Sequence, residues 1–519
     1  MLNNDILNAL KAYTKTMTNN VTLVMQPGEH PKRQELEEFL EKLCSVSENL
    51  NWQISHFDLG LNSPLSFAIQ VNDELNGVVF SGIPAGHEFN SLILAILQSS
   101  GTALKLDSSL QSLIKSVAEP LHFEVFVSLS CHNCPDVVQA LNQFAMLNPQ
   151  ISSEMIDGGL YPDIIESRNI QGVPSVYLNG EPFANGKVDT AILIEKLQTH
   201  LGENFKASAS IEQSPTQDVT VIGGGPAGVS AAIYSARKGL KVTLIADRIG
   251  GQVKDTVGIE NLISVSKTTG SELTNNLIAH MNDYTINLKE HIRVDKIEKG
   301  DVKTLTLSSG EVLTTKTLII ATGAKWRELG VEGEKENIGQ GVAYCPHCDG
   351  PFFKGKDVAV IGGGNSGVEA ALDLAGMVKS VTLFEFLPEL KADKVLVEKA
   401  EQSANIKIIK SAKTEKVLSD GTKVTGLRYQ DRNTEEIMDV DLDGIFVQIG
   451  LVPNSEFVSN LVERNNFGEI IIDEKGQTSE PGVFACGDVT TVPYKQIVIA
   501  MGEGSKASLS AFDYLLRAA

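Results

Sequence analysis

The chain reads as an α/β protein. Three observations predict that class. Short apolar runs alternate with segments of helical spacing along most of the length, two glycine-rich turns each follow a buried-strand run, and two Cys-x-x-Cys pairs stand in different contexts. At 519 residues the chain is too long for one core, and about three or four domains are expected. With 42% hydrophobic and 21% charged residues it has the balance of a globular chain. Its net charge of -21, from 44 basic and 65 acidic residues, argues against nucleic acid and anionic membranes as partners. No basic stretch followed by an apolar one opens Met1-Leu2-Asn3-Asn4-Asp5, so no signal peptide is expected. No apolar run reaches the roughly 18 residues of a membrane span. Four of the six cysteines lie in the Cys-x-x-Cys pairs, which suits a reducing cytoplasm with catalytic disulfides.

In residues 1–117, strands are predicted at Val21–Met25, 51–59, 66–71 and 77–81. Helices are predicted at 32–45, where Leu36, Phe39, Leu40 and Leu43 share a face, and at 89–98. Residues 118–200 repeat a similar order. A strand over 123–128 leads to Cys131-His132-Asn133-Cys134 and a helix over 135–147. A strand at 153–157 and a short helix at 163–167 precede Val173-Pro174 and the strand to Leu178, with a last helix at 188–199. Residues 201–217 are polar and small, as in a flexible tether.

From Asp218 the pattern becomes strand, glycine turn, helix, strand. The run 219–222 is followed by Gly223-Gly224-Gly225-Pro226-Ala227-Gly228 and a helix through Arg237. Gly223, Gly225 and Gly228 permit a tight turn, close approach of a pyrophosphate and close helix-to-strand packing. Pro226 suits the first helical turn, whose free N–H groups face the phosphates. Asp247 ends the next strand, where a carboxylate can bond a ribose hydroxyl. A second copy runs from strand 357–361 through Gly362-Gly363-Gly364-Asn365-Ser366-Gly367 to Glu385. A lone fingerprint could be only a glycine-rich turn, but two complete copies point to two dinucleotides. Glu385 would repel a 2′-phosphate, and the residues after it, Phe386 to Glu389, include no arginine, so NADH is favoured over NADPH. Between the two copies stands Cys345-Pro346-His347-Cys348-Asp349. A vicinal dithiol exchanges two electrons through a disulfide. The alternative, a zinc site shared by both pairs, has to bridge a long separation in sequence and the tether.

Strand, Cys-x-x-Cys, helix, then Val-Pro before a strand is an order that resembles the thioredoxin and glutaredoxin family. Residues 1–117 look like a second such copy without its cysteines, Gly28-Glu29-His30-Pro31 standing where the pair would be. Residues 218–519 resemble the low-molecular-weight thioredoxin reductases, with Thr478 to Asp488 similar to the second FAD motif of flavoprotein disulfide reductases. The whole chain is similar to the family of flavoprotein subunits of bacterial alkyl hydroperoxide reductases, on Cys-Pro-His-Cys-Asp-Gly-Pro-Phe-Phe above all.

The resemblance implies tandem thioredoxin-like folds followed by two Rossmann-like, three-layer ββα nucleotide domains. The domains would be 1–117, 118–200, the linker 201–217, an FAD-binding domain split into 218–325 and 450–519, and an NADH-binding insert at 326–449. FAD contacts are carried over to Gly223, Gly225, Pro226, Ala227, Gly228, Asp247, Gly251, Gln252, Asn261, Thr322, Gly323, Gly487, Asp488, Gln496 and Ile497. NADH contacts are carried over to Gly362, Gly364, Asn365, Ser366, Gly367 and Glu385. Cys348 would meet the flavin, Cys345 would attack outward, and Asp349 would protonate the leaving thiolate. Cys131 would be the outward nucleophile and Cys134 its resolving partner, facing a cis-Pro174. Glu88, and with it His87, His132 and His347, could tune thiols, although structural roles are equally open. No metal is expected. Cys44 and Cys486 should be inert packing thiols. The implied activity is an NADH-dependent disulfide reductase passing electrons through FAD, Cys345–Cys348 and Cys131–Cys134 to a separate two-cysteine peroxiredoxin, in a cytoplasmic homodimer. Two alternatives remain: an NADH oxidase or thioredoxin reductase with a built-in substrate module, and a slow redox sensor or scaffold.

Overall fold

The computed structural model describes residues 4–131, 133–168, 170, 172–186, 188–202, 215–256, 258–421 and 423–518. Most of the expected tether, and His132, lie outside the described residues. The chain divides into two compact units. Unit 1 is residues 1–214 with 289–295 and 305–313; unit 2 is residues 215–288, 296–304 and 314–519.

Unit 1 is built on one eight-stranded sheet. Its strands are β1 (Val21–Met25), β2 (Leu50–Ile54), β3 (Ser66–Val71), β4 (Glu74–Ser81), β5 (Leu121–Val127), β6 (Ile151–Asp157), β7 (Ser175–Leu178) and β8 (Glu181–Asn185). The order is β2-β1-β3-β4-β6-β5-β7-β8. β1 runs parallel to β2 and antiparallel to β3; β5 stands in the same way to β6 and β7. The second half therefore repeats the first. The two halves join where β4 pairs in parallel with β6. Gly77, at φ +83°, admits that join: a Cβ there would stand 2.6 Å from the Ile151 carbonyl oxygen. Segments 1–117 and 118–200 thus share a continuous sheet.

Several elements of unit 1 differ from the sequence expectation, among them the helix Asn4–Tyr13, which that expectation does not contain. The strand expected over 51–59 ends at Ile54, because Gln26 and Asp58 hydrogen-bond and turn the chain, with Leu59 N–H donating to Gln26 Oε1. The helix Ser108–Lys115, capped by Asp107 accepting from the Ser109 N–H, has no counterpart in that expectation. Nor has β8, whose alternation is too short to read.

Unit 2 holds two nucleotide-type folds. In the first, the strand Gln217–Ile222 is flanked in parallel by Val242–Ala246 and Val312–Ile320. Val483–Ala485 adds in parallel beyond Val312–Ile320, so the chain returns to this sheet after the insert. The helices Pro226–Arg237 and Ile497–Ala518 pack through small residues, among them Ala227, Ala231, Ala500 and Ala507. In the second fold five parallel strands lie in the order Val342–Ala343, Gly444–Val447, Asp357–Ile361, Ser380–Phe384, Ile406–Ile409. Val358, Val360, Val381 and Leu383 face the helix Asn365–Ala375. Ala359, Ile361 and Phe384 alternate to the other face, against the antiparallel sheet of Ala412–Ser419, Val424–Asp431 and Ile437–Asp441. Covering on both faces explains why these strands read as continuous apolar runs. The two folds are joined by a two-stranded ribbon in which Ala324, Lys325 and Trp326 pair with Pro453, Val452 and Leu451.

Candidate active site

The first fingerprint forms a cradle at the carboxyl ends of the parallel strands, where the order reverses and ligands bind in such sheets. Gly223 has φ +116°, and a Cβ there would stand 2.5 Å from the Ala321 carbonyl carbon. A Cβ on Gly228 would collide with the Gly223 carbonyl oxygen. Gly225, in contrast, faces open space, where an approaching group would be met by the helix that Pro226 begins. The crowding and the opening fall at the positions expected for a pyrophosphate cradle.

Three other residues expected at FAD, Gly251, Thr322 and Gly487, lie against it. A Cβ on Gly251 would lie 3.2 Å from Gly225 Cα. A Cβ on Gly487 would lie 2.9 Å from that of Ala227, so the returning strand delivers Asp488 beside the first fingerprint. Burial raises the Asp488 carboxyl, with Lys495 opposing the shift. Asn261 Nδ2 donates to Gln496 Oε1 at 3.2 Å, next to Ile497 at the start of the last helix. Thr322 is tied into the ribbon, its hydroxyl donating to the Asn454 carbonyl at 2.7 Å. Asp247 follows the strand Val242–Ala246, and Gln252 lies in a single 3-10 segment, Gly251–Asp255. The donor set and the open turn fit a flavin dinucleotide.

The second cradle has the same design. Gly364 faces open space, while a Cβ on Gly367 would collide with the Gly362 carbonyl oxygen. Glu385 accepts from two backbone N–H groups, Gly363 and Leu387, the latter at 2.7 Å. Its carboxylate is thereby fixed at the turn with lone pairs left for ribose hydroxyls. Asn365, expected at NADH, also pairs with Asp393: its Nδ2 donates at 3.2 Å and its Oδ1 accepts the Asp393 N–H at 2.7 Å. Ser366 is exposed beside it. A cavity of about 600 Å³ opens here, lined by Gly362, Glu385, Phe386 and Lys413 among others. The sequence next to Glu385 holds no arginine, but the fold brings one. Arg432, from the turn between Val424–Asp431 and Ile437–Asp441, lies over the Phe386 ring. No local pattern signals that approach.

Cys131 and Cys134 form a disulfide, with Cα atoms 5.6 Å apart. Cys131 is partly exposed, whereas Cys134 is fully buried at the start of the helix Cys134–Leu147. The Val173–Pro174 peptide is cis, and Cys131 Sγ lies 3.8 Å from the Val173 carbonyl oxygen. The His87 N–H donates to the Leu129 carbonyl, so the segment carrying Glu88 abuts the strand end that leads to Cys131. Glu88 is fully buried, and among the described residues neither carboxyl oxygen has a well-formed hydrogen bond. Burial pushes its carboxyl up to about 7, the nearby Ser91 hydroxyl only partly opposing the shift.

Cys345 caps the one-turn helix Pro346–Asp349 and is disulfide-bonded. The side chains of His347 and Cys348 lie outside the described residues. So short a helix confines any dipole effect on the thiol to a single turn. The Asp349 N–H donates to the Cys345 carbonyl at 3.0 Å, and burial pushes the Asp349 carboxyl up to about 6. The two Cys-x-x-Cys pairs thus lie in different units. Of the remaining cysteines, Cys486 is fully buried and its thiol is raised by desolvation. Cys44 is half-buried, its thiol pushed up to about 12 by the same cause. No group of three or more His, Cys, Asp or Glu among the described residues could hold a metal ion.

Residues 217–504 match the family model of the pyridine nucleotide-disulphide oxidoreductases, more than half of the chain. The chain belongs to that family. Residues 121–199 match a thioredoxin domain model. Over its full length this disulphide oxidoreductase is 50% identical to the F subunit of an alkyl hydroperoxide reductase from Staphylococcus aureus strain NCTC 8325, covering 100% of both chains. It is 48% identical to a protein of Ferdinandcohnia aciditolerans named NADH dehydrogenase, covering 100% of this chain and 98% of that one. Among solved structures, the thioredoxin reductase of Streptococcus pyogenes matches with a TM-score of 0.56 and 35% identity, over 58% of this chain and 99% of that one.

Proposed function

We propose that the chain is an NADH-dependent flavoprotein disulfide reductase of the alkyl hydroperoxide reductase F-subunit type, whose dithiols reduce a separate two-cysteine peroxiredoxin. The observation that carries this reading is a Cys-x-x-Cys pair in each unit, Cys131 and Cys134 disulfide-bonded on a thioredoxin-like sheet and Cys345 disulfide-bonded in the unit that holds two dinucleotide cradles. FAD, when bound, would supply the two-electron carrier between the hydride of NADH and the disulfide of the Cys345–Cys348 pair.

This chain's residues do the rest. Gly223, Gly225 and Gly228 shape the pyrophosphate turn, and Asp488 and Thr322 border the same cradle. Glu385 holds the NADH ribose. Asp349 holds a proton near the Cys345–Cys348 pair, ready for a leaving thiolate. The Cys345 thiolate attacks the Cys131–Cys134 disulfide; the resulting mixed disulfide is resolved by Cys348, and the two electrons pass to Cys131 and Cys134. The partly exposed Cys131 then attacks the partner's disulfide, and Cys134 resolves that bond. Peroxide chemistry falls to the partner, so the chain supports the response to reactive oxygen species from a distance. No helix among the described residues is long and apolar enough to cross a membrane. A cytoplasmic homodimer is the assembly we favour.

Mixing the purified chain with NADH and an oxidised two-cysteine peroxiredoxin should regenerate the peroxiredoxin's thiols. A fragment of residues 218–519 should still oxidise NADH with a small acceptor but leave the peroxiredoxin oxidised. Full activity of that fragment toward the peroxiredoxin contradicts the proposal. Reduction of thioredoxin alone would favour the reductase with a built-in substrate module.

A further inference from the structure

The cavity beside Glu385 has one wall that the nucleotide fingerprint does not explain. Phe386 is 50% exposed at its rim, an aromatic side chain left half in water. The ring is held in place from elsewhere in the fold. The Arg432 guanidinium carbon lies 3.9 Å from the ring centroid, and Arg432 Nη1 donates to the Phe386 carbonyl at 2.7 Å. The Arg432 N–H donates to the Ser411 carbonyl, and the Ser411 N–H donates to that of Leu387. Three loops are therefore laced together around one ring. Phe386 lines the cavity while Arg432 does not, so the guanidinium braces the ring from outside.

We infer that Phe386, positioned by Arg432, is the platform on which the adenine ring of the pyridine nucleotide stacks. The inference rests on reading this cavity as the NADH site. A ribose held by Glu385 is one glycosidic bond from its base, and the next residue along the strand end is Phe386. Base-on-aromatic stacking needs a flat, accessible ring of fixed orientation. An arginine stacked on one side supplies that orientation through cation–π attraction and keeps its charge out of the cavity. The arrangement also keeps the Arg432 guanidinium committed to a carbonyl and a ring rather than offered to a 2′-phosphate.

ADP-ribose, titrated calorimetrically into the flavin-loaded full chain, tests this without turnover. Phe386→Ala should weaken ADP-ribose about tenfold. Phe386→Trp should keep near-native affinity and acquire an indole emission that ADP-ribose quenches. Arg432→Leu should fall between native and Phe386→Ala. Binding by Phe386→Ala within about twofold of native, or an added emission in Phe386→Trp that bound ADP-ribose leaves unmoved, overturns the platform. Failure of the native chain itself to bind ADP-ribose overturns both the platform and the NADH reading beneath it.

Discussion

The Phe352 ring lies against Gly258, so that a Cβ on that glycine would stand 3.3 Å from Phe352 Cζ. Phe352 follows the Cys345–Asp349 turn by three residues, and Gly258 belongs to the first nucleotide fold. The segment that follows the Cys345–Asp349 turn therefore packs against the first nucleotide fold. The cavity at Glu385 lies in the same inserted fold. Under the proposed relay both must serve one flavin in turn, and we propose the ribbon pairing Ala324–Trp326 with Leu451–Pro453 as the hinge of the insert.

Phe352→Ala removes the ring from that contact. It should slow electron transfer to Cys345–Cys348 several-fold while leaving NADH affinity unchanged, because the Glu385 cavity is untouched. Rapid-mixing absorbance of the flavin and a separate nucleotide titration read the two effects. An equal loss in both would mean that Phe352 supports the whole insert rather than its docking.

Glu385 predicts cofactor choice. Native protein should prefer NADH to NADPH in kcat/KM, and Glu385→Arg should narrow the ratio. The variant also loses the acceptor for the Gly363 and Leu387 N–H groups, so its NADH affinity should fall by roughly tenfold, a cost of about 1.4 kcal/mol. Native protein using both nucleotides equally would show that the carboxylate does not select.

Asp349 sets a pH limb. Burial raises its carboxyl from 3.8 to about 6, so it keeps its proton below that pH and loses it above. Thiolate protonation by Asp349 should therefore weaken as pH rises through about 6. Pre-steady-state rates of reduction of the Cys345–Cys348 disulfide across this range should show that limb in the native protein. Asp349→Asn should be slower and lack it; an unchanged profile would remove Asp349 from the proton path.

Glu88 should tax stability at high pH. Its carboxyl titrates near 4.5 when unfolded and about 7 when folded. Between those values the folded state holds a proton that the unfolded state releases, so stability falls as pH rises through the window and stays low above it. The full effect is about 3 kcal/mol. Urea denaturation followed by circular dichroism should show this decline in unit 1 and its loss in Glu88→Gln. A decline of the same size in the variant would assign it to another group.

Much of this was legible in the sequence because local rules decided it. The strand, glycine turn and helix around Gly223 and Gly362 use spacing that only close backbone approach explains, and the burial of 358–361 on both faces follows from its apolar run. The paired halves of unit 1 were legible as an order of elements, but not the joining of β4 to β6, which depends on a parallel pairing between distant segments. Arg432 was invisible for the same reason: a hairpin turn carries it to Phe386 across 46 positions. Glu88 could be named, but its complete burial could not, because helical spacing does not distinguish a face against solvent from one against a neighbouring helix.

The order of the two dithiols is the central claim, and Cys348→Ser tests it most directly. NADH is mixed with the oxidised full chain, and the Cys131 and Cys134 thiols are trapped by alkylation over time and counted by mass spectrometry. The relay predicts that the variant's flavin is reduced while Cys131–Cys134 stays oxidised, whereas the native chain yields both thiols within the turnover time. Reduction of Cys131–Cys134 in Cys348→Ser at the native rate would mean that electrons reach unit 1 without passing through Cys345–Cys348, and would contradict the account.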